Sequence, residues 1–527
     1  MRLNDLVLAL GLPLTGPAAE IEIRGIIEDS RRLAPGDLFV ATRGGSFDAH
    51  RFIPDAARRG AAAVVGELLP DELPGGLPGV PYFQVPDSRL ALAQLAAVWH
   101  GYPARRLAVI GVTGTDGKTS TSNLIYQILH AAGLKAGMIS TVNALIGDRA
   151  LDTGFHVTTP DALSVQAYLA QMAAAGLTHV VLESTSHGLA QQRVAACEFD
   201  MALVTNITHE HLDYHGDYTA YRAAKGRLFE MLAETGDKPG RPPRGAVLNA
   251  DDTSYEYLAA LTHVPMLSYG LSEAAQVRAV DLALRTDGTN FRVQGCDLDG
   301  RVFEFPVATR LVGEFNVYNC LAAAALACGV MRLPATAVQD GLAAMAAVPG
   351  RMERIDVGQD FSAVVDFAHT PNALRRALET ARRLTSGRLI AVFGSAGLRD
   401  RAKRRMMAET SARLADLTVL TAEDPRTESL DAILDEMAEG ARAQGGVEGR
   451  TFWRVADRGE ALRFAVRLAR PGDLVMACGK GHEQSMCFGT VEYSWDDRTA
   501  LRAALAELLD IPGPAMPELP TRPTPGL

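Results

Sequence analysis

Residues 111–119 read Gly-Val-Thr-Gly-Thr-Asp-Gly-Lys-Thr. The run follows an apolar stretch, Leu107 to Val112, and opens a helical pattern from Lys118 to Ala132. A glycine-rich turn in that setting can point backbone N–H groups and a helix N-terminus at phosphate oxygens. Gly114, Thr115, Asp116, Gly117, Lys118, Thr119 and Ser120 are therefore the expected nucleotide-binding residues. Lys118 would reach the terminal phosphates, and the Thr119 hydroxyl would sit on Mg²⁺. Val112 stands where the strict pattern has glycine, so the loop is a variant. A glycine-rich turn with no ligand is the competing reading, and Gly-Lys-Thr after a buried strand disfavours it.

Residues 205–225 read TNITHEHLDYHGDYTAYRAAK. Two histidines spaced His-x-His suggest zinc, but no cysteine or further histidine at zinc spacing accompanies them. Magnesium prefers oxygen and tolerates one imidazole when phosphates supply the remainder. Glu183 ends the apolar run in VVLESTSHG. An acid at the carboxyl end of a parallel strand lies at the usual site edge of an α/β sheet, where it could hold the same ion.

The elements that position these residues alternate. Strand-like pieces at 107–112, 135–140, 179–183, 201–205 and 245–249 are separated by helical patterns, which predicts a mostly parallel, doubly wound sheet. A smaller α/β unit precedes it, a β-rich polar stretch spans about 270–310, and a third alternating unit starts near Pro349-Gly-Arg. The expected fold class is α/β in three domains. A small N-terminal domain covers 1–102, a central P-loop domain 103–346, and a Rossmann-like C-terminal domain 347–510. The proline-rich tail 511–527 is expected to be disordered.

The chain has 527 residues, 47% hydrophobic and 22% charged, with a formal net charge of −10. That charge disfavours nucleic acid and anionic membrane surfaces as partners. Six cysteines without a CxxC pair suit a reducing cytoplasm. No basic, apolar and small-residue succession marks a signal peptide, and no apolar run approaches the roughly 18–20 residues that span a bilayer.

The segments GVTGTDGKTS, ESTSHG, TNITHEHLDYHG with AAK, LVGEFNVYN, PGRME, VDFAHTP and CGKGHE occur in the order seen in the Mur ligase family. The chain resembles that family to about residue 510, and most resembles the members that add the third residue of the cell-wall peptide. The resemblance implies a cytoplasmic, monomeric, ADP-forming ligase using ATP and Mg²⁺. Its substrates would be UDP-N-acetylmuramoyl-L-alanyl-D-glutamate and a diamino acid, joined through an acyl phosphate. It implies that Thr119, Glu183, His211 and a carbamate on Lys225 serve the metal, with Lys118 on phosphate. Asn316, Arg351 and Asp366 match nucleotide contacts. Ser30 and His50 match uridine-side contacts, and Thr158, Thr159, Thr185, Gln191 and Arg193 match sugar and peptide contacts. Arg399, Asp424, Arg426, Gly479 and Glu483 match the amino-acid site.

Two alternatives remain open on the sequence. A folylpolyglutamate synthase-like ligase would lack a separate UDP-binding domain, and residues 1 to about 100 argue against it. A non-ligase P-loop nucleotide-binding protein would not need the later motifs. The third residue is also open between diaminopimelate, lysine and ornithine. Arg426 in Glu423-Asp424-Pro425-Arg426 suits a distal carboxylate. Asp424 replaces the asparagine typical of diaminopimelate-using members and tips the expectation towards a distal ammonium alone.

Overall fold

A computed structural model describes residues 1–12, 14–44, 48–76, 79–141, 143–147, 149–151, 159–208, 212–285, 288–345 and 349–521. The chain divides into two compact units. One comprises Met1–Arg278, Gln294–Phe303 and Leu321–Val338; the other comprises Ala279–Val293, Glu304–Cys320 and the chain from Gln339 onward.

The first unit holds two sheets. The N-terminal sheet has four parallel strands, Ile26–Ile27, Leu38–Val40, Ala63–Gly66 and Tyr82–Gln84. Its strands are short apolar runs covered on both faces, by Leu92 and Leu95 on one side and Ile53 and Ala56 on the other. Burial on both faces explains why Leu38-Phe39-Val40 is continuous rather than alternating.

The second sheet runs, in order, Met266–Gly270, Gly245–Asn249, Met201–Val204, Ala108–Thr113, His179–Glu183 and Ala136–Ile139, all parallel. Two short antiparallel strands, Ala144–Ile146 and Arg149–Leu151, extend its edge. Every parallel strand points its carboxyl end to one side. The register pairs Val112 with Glu183 and Thr113 with Val204, so the turn at 114–117, Glu183 and Thr205 emerge together. The expected β-rich stretch is three eight-residue strands, Val277–Leu284, Thr289–Cys296 and Val302–Thr309. The division between the units runs through these strands.

In the second unit, six strands run in the order Glu353–Arg354, Ser362–Asp366, Leu474–Cys478, Leu389–Phe393, Leu417–Leu420 and Phe452–Arg454, parallel except for the first. The tail departs from expectation. Residues 511–521 lie against this domain: Leu519 is buried in its core, Met516 packs beside it, and the Thr521 hydroxyl donates to Asp457 Oδ2 at 2.9 Å. The prolines forbid regular structure here, but one leucine and one methionine find apolar partners.

A buried ion pair braces this domain. The Arg458 guanidinium donates to both Asp497 oxygens (2.7 and 2.6 Å) and to the carbonyls of Ala422 and Cys478, and Trp495 Nε1 also donates to Asp497. Asp497→Asn would leave a buried guanidinium without its counter-charge. A loss of about 3 kcal/mol in unfolding free energy is expected in a denaturant titration.

Candidate active site

The glycine-rich loop at 114–117 is built by close backbone approach. Gly114 has φ +146°, and a Cβ there would lie 1.9 Å from Thr205 Oγ1. Thr205 and Asn206 form the opposite wall. Thr205 Oγ1 donates to Asp116 O at 2.6 Å, Thr115 N to Asn206 O at 2.7 Å, and Asp116 N to Asn206 Oδ1 at 3.1 Å. Gly117 adopts a left-handed conformation (φ +83°) as N-cap of the helix Lys118–Ala131. Only glycine tolerates both positions cheaply. Gly114→Ala should therefore distort the loop and cost about 1–3 kcal/mol of stability, read as a lowered Tm together with weaker ATP binding.

Lys118 Nζ folds back onto Thr115 O at 2.8 Å, over its own loop. Ser120 is buried in the first helical turn. The Thr119 hydroxyl donates to Glu183 at 3.1 and 3.2 Å, and Thr141 donates to the same carboxylate from its N–H and its hydroxyl, each at 3.1 Å. Glu183 is 1% exposed. Among the described residues no cation pairs with it. A buried carboxylate normally has a cationic partner or a metal, and hydroxyl and carboxylate oxygens suit Mg²⁺. Among the described residues no group of three or more His, Cys, Asp or Glu is placed to hold a metal, so phosphate oxygens would have to complete the shell. His211 lies outside the described residues, as does Thr158.

Lys225 is 1% exposed. Its ammonium donates to Gly114 O at 2.5 Å and lies 4.6 Å from the centre of the Tyr221 ring. The Tyr221 hydroxyl in turn meets Thr115 Oγ1 at 3.0 Å.

Beside the loop, Thr159 Oγ1 donates to Glu183 O (3.0 Å) and meets Thr185 Oγ1 (3.0 Å), while Thr185 caps the helix Ser186–Ala190. Arg193 donates to Thr159 O at 2.7 Å and to Gln191 Oε1 at 2.7 and 3.1 Å. Burial pulls the Arg193 guanidinium below its ordinary range, opposed by Asp161 and by Glu28 of the N-terminal sheet domain. Thr159, Thr185, Gln191 and Arg193 thus form one cluster with the loop. Ser30 and His50 lie in the N-terminal domain, outside this cluster. Both His50 ring nitrogens are engaged within the N-terminal domain. Nδ1 meets Asp48 Oδ1 at 2.5 Å and Nε2 accepts from Glu67 N at 2.8 Å, so the ring braces its own domain. Ser30 is buried at the start of a turn capped by Asp29.

In the second unit, the loops following Asp366, Phe393, Leu420 and Cys478 emerge at one sheet edge. Asp366 accepts from Met352 N (2.7 Å) and Ala368 N (2.8 Å), fixing the strand end, and Arg351 stacks 4.3 Å from the centre of the Phe367 ring. Asn316 lies in the helix Glu314–Ala324, donating to Val312 O and accepting from Asn319. Gly479 (φ +106°) lets Glu423 approach: a Cβ would lie 2.2 Å from Glu423 Oε2. Burial pushes the Glu423 carboxyl up to about 7, against the pull of Lys403, Arg458 and Lys480. Asp424 is spanned by Lys480 Nζ (3.0 and 3.1 Å) and accepts from Cys487 N at 2.9 Å. Arg426 and Arg399 lie on the same loops, Arg426 half-buried and Arg399 exposed. Among the described residues no hydrogen bond or ion pair holds the Arg426 guanidinium.

Sequence reasoning missed Thr141, Tyr221 and Lys480. Thr141 has no pattern around it. Tyr221 and Lys480 lie inside quoted segments, but only burial reveals their roles.

Three family descriptions match the chain: Mur ligase family, catalytic domain, over residues 22–100; Mur ligase middle domain over 112–327; and Mur ligase, glutamate ligase domain, over 350–481. The chain belongs to the Mur ligase family. Like other Mur ligases, it is an ATP-dependent, amide-bond-forming enzyme. A UDP-N-acetylmuramyl-tripeptide synthetase of Roseiflexus sp. (strain RS-1) is 45% identical over 520 residues, 96% of this chain and 99% of that one. A UDP-N-acetylmuramoyl-L-alanyl-D-glutamate–2,6-diaminopimelate ligase of Geobacillus thermodenitrificans (strain NG80-2) is 41% identical, covering 91% and 94% of the two chains. A solved structure of a UDP-N-acetylmuramoyl-L-alanyl-D-glutamate–2,6-diaminopimelate ligase matches with a TM-score of 0.64 at 30% identity, over 97% of this Mur ligase chain and 100% of the other. Among the described residues no helix of this Mur ligase is long and apolar enough to cross a membrane.

Proposed function

We propose that this Mur ligase joins a diamino acid to UDP-N-acetylmuramoyl-L-alanyl-D-glutamate in peptidoglycan assembly, converting ATP to ADP and phosphate. The observation that carries this reading is the buried Thr119–Glu183 pair beside the Lys118 loop, in a chain whose relatives align over nearly its whole length. The free carboxylate of the nucleotide-peptide attacks the γ-phosphorus, and ADP leaves. The amine of the incoming residue then attacks the acyl carbon, loses a proton, and phosphate departs. Two anions must meet in the first step, so positioning and charge neutralisation are the catalytic requirement. Lys118 and the loop N–H groups hold the phosphates. Thr119 and Glu183 would hold Mg²⁺, which supplies further neutralisation when bound. Arg193, fixed by Gln191 and Thr159, would orient the peptide. A carbamate on Lys225, formed from the ammonium with CO₂ and loss of two protons, would turn that buried cation into an anion for a second ion. As the family resemblance implies, the enzyme would act as a monomer in the cytoplasm.

For the third residue the geometry favours meso-diaminopimelate. Asp424 is already engaged by Lys480 and the Cys487 N–H, which weakens the expectation that it receives a substrate ammonium. Arg426 is the cation available to a distal carboxylate. The second reading, lysine or ornithine, rests on the acid at 424 itself.

ADP release measured with each substrate omitted in turn tests the reaction. Release that requires the nucleotide-peptide and an amino acid together is expected. Release indifferent to both would remove the ligase reading.

A further inference from the structure

Lys480 is 0% exposed, among the largest fully buried side chains of the protein. It lies between two acids, Asp424 at 3.0 and 3.1 Å and Glu483 at 2.5 Å. Asp424 sits on the loop after the strand Leu417–Leu420, whereas Lys480 and Glu483 follow the strand Leu474–Cys478. One ammonium therefore ties together two loops of the amino-acid site. The backbone is committed to this meeting. Asp424 has φ +41° and Gly479 φ +106°, the Cys487 N–H bonds the same Asp424 oxygen, and Arg426 N bonds Cys487 O at 3.1 Å. Facing Glu483 and Asp424 holds the Lys480 ammonium above its ordinary range, although burial by itself would lower it. A buried lysine between two carboxylates is stable only as a cation in a hydrogen-bonded network.

We infer that Lys480 is a positioning residue that sets third-residue selectivity by holding the Asp424 carboxylate in an ion pair, away from the distal group of the incoming amino acid. This rests on the ligase reading above. With Asp424 so held, the acid behaves towards substrate as the neutral amide it replaces, and Arg426 decides the distal contact. Without Lys480, Asp424 loses the ammonium that spans its carboxylate and presents more of its charge beside Arg426. It would repel a distal carboxylate and attract a distal ammonium.

The test compares kcat and KM for meso-diaminopimelate and L-lysine in wild type, Lys480→Met and the double variant Lys480→Met/Asp424→Asn, with thermal melts alongside. In Lys480→Met the kcat/KM ratio of diaminopimelate to lysine should fall at least about tenfold, mainly through KM. The double variant, which carries neither charge, should recover the ratio to within about threefold. If Lys480→Met does not fold, a folded double variant with the wild-type ratio supports the inference, and a double variant that also fails to fold overturns it. Equal losses with both amino acids, or no recovery in the double variant, overturns it as well. A wild type inactive with every amino acid would instead reject the ligase reading. A wild type that prefers lysine would reject diaminopimelate while leaving the Lys480 comparison readable.

Discussion

Lys118→Ala is expected to lower kcat about 10³-fold with little change in stability. The ammonium makes one hydrogen bond among the described residues, to Thr115 O, on a half-buried side chain. Removing it therefore costs the fold about 0.5 kcal/mol or less. Its catalytic loss is larger because charge builds on the transferring phosphoryl group as the carboxylate approaches. A preorganised donor aimed at developing charge is typically worth about 10²–10³-fold, and here the donor is also a full cation. Steady-state kinetics with saturating nucleotide-peptide, set against a thermal melt, separates the two effects. A tenfold or smaller loss would mean that the loop cradles ATP through its backbone alone.

Arg426→Ala is expected to reduce kcat/KM for meso-diaminopimelate about 10²-fold, chiefly through KM. The half-buried guanidinium has no hydrogen bond or ion pair among the described residues. Its backbone is fixed from both sides, by Arg426 N to Cys487 O at 3.1 Å and by Gly489 N to Arg426 O at 2.8 Å. A cation positioned by the fold and left unengaged is suited to bind an anion, and losing a bidentate carboxylate contact costs about 2–5 kcal/mol. Lysine, which has no distal carboxylate, should be affected much less. Equal losses with both amino acids would place Arg426 in loop structure rather than in recognition.

Most of the fold was legible because its strands are buried on both faces and bounded by turn residues. The strands His179–Glu183, Gly245–Asn249 and Leu389–Phe393 lie where their apolar runs predict, and the helix Lys118–Ala131 ends one residue short of expectation. The turn at 114–117 was legible because its glycines answer to local backbone demands at 114 and 117. Less visible was whatever depends on partners distant in sequence. Asp424 reads as an available acid until Lys480, on another loop, is found bonded to it. The sequence around His50 does not show that Asp48 and Glu67 engage both of its ring nitrogens. The tail reads as disordered from its prolines, but Leu519 and Met516 pack against a domain whose surface no local pattern reveals.

The most direct measurement is the mass of the product. The protein would be incubated with ATP, Mg²⁺ and UDP-N-acetylmuramoyl-L-alanyl-D-glutamate, with meso-diaminopimelate, L-lysine or L-ornithine supplied in parallel. The account predicts that the nucleotide-peptide gains the mass of one diamino-acid residue, with one ADP formed per product, and that diaminopimelate gives the highest yield. ATP bound or hydrolysed with no mass gain from any of the three would contradict it.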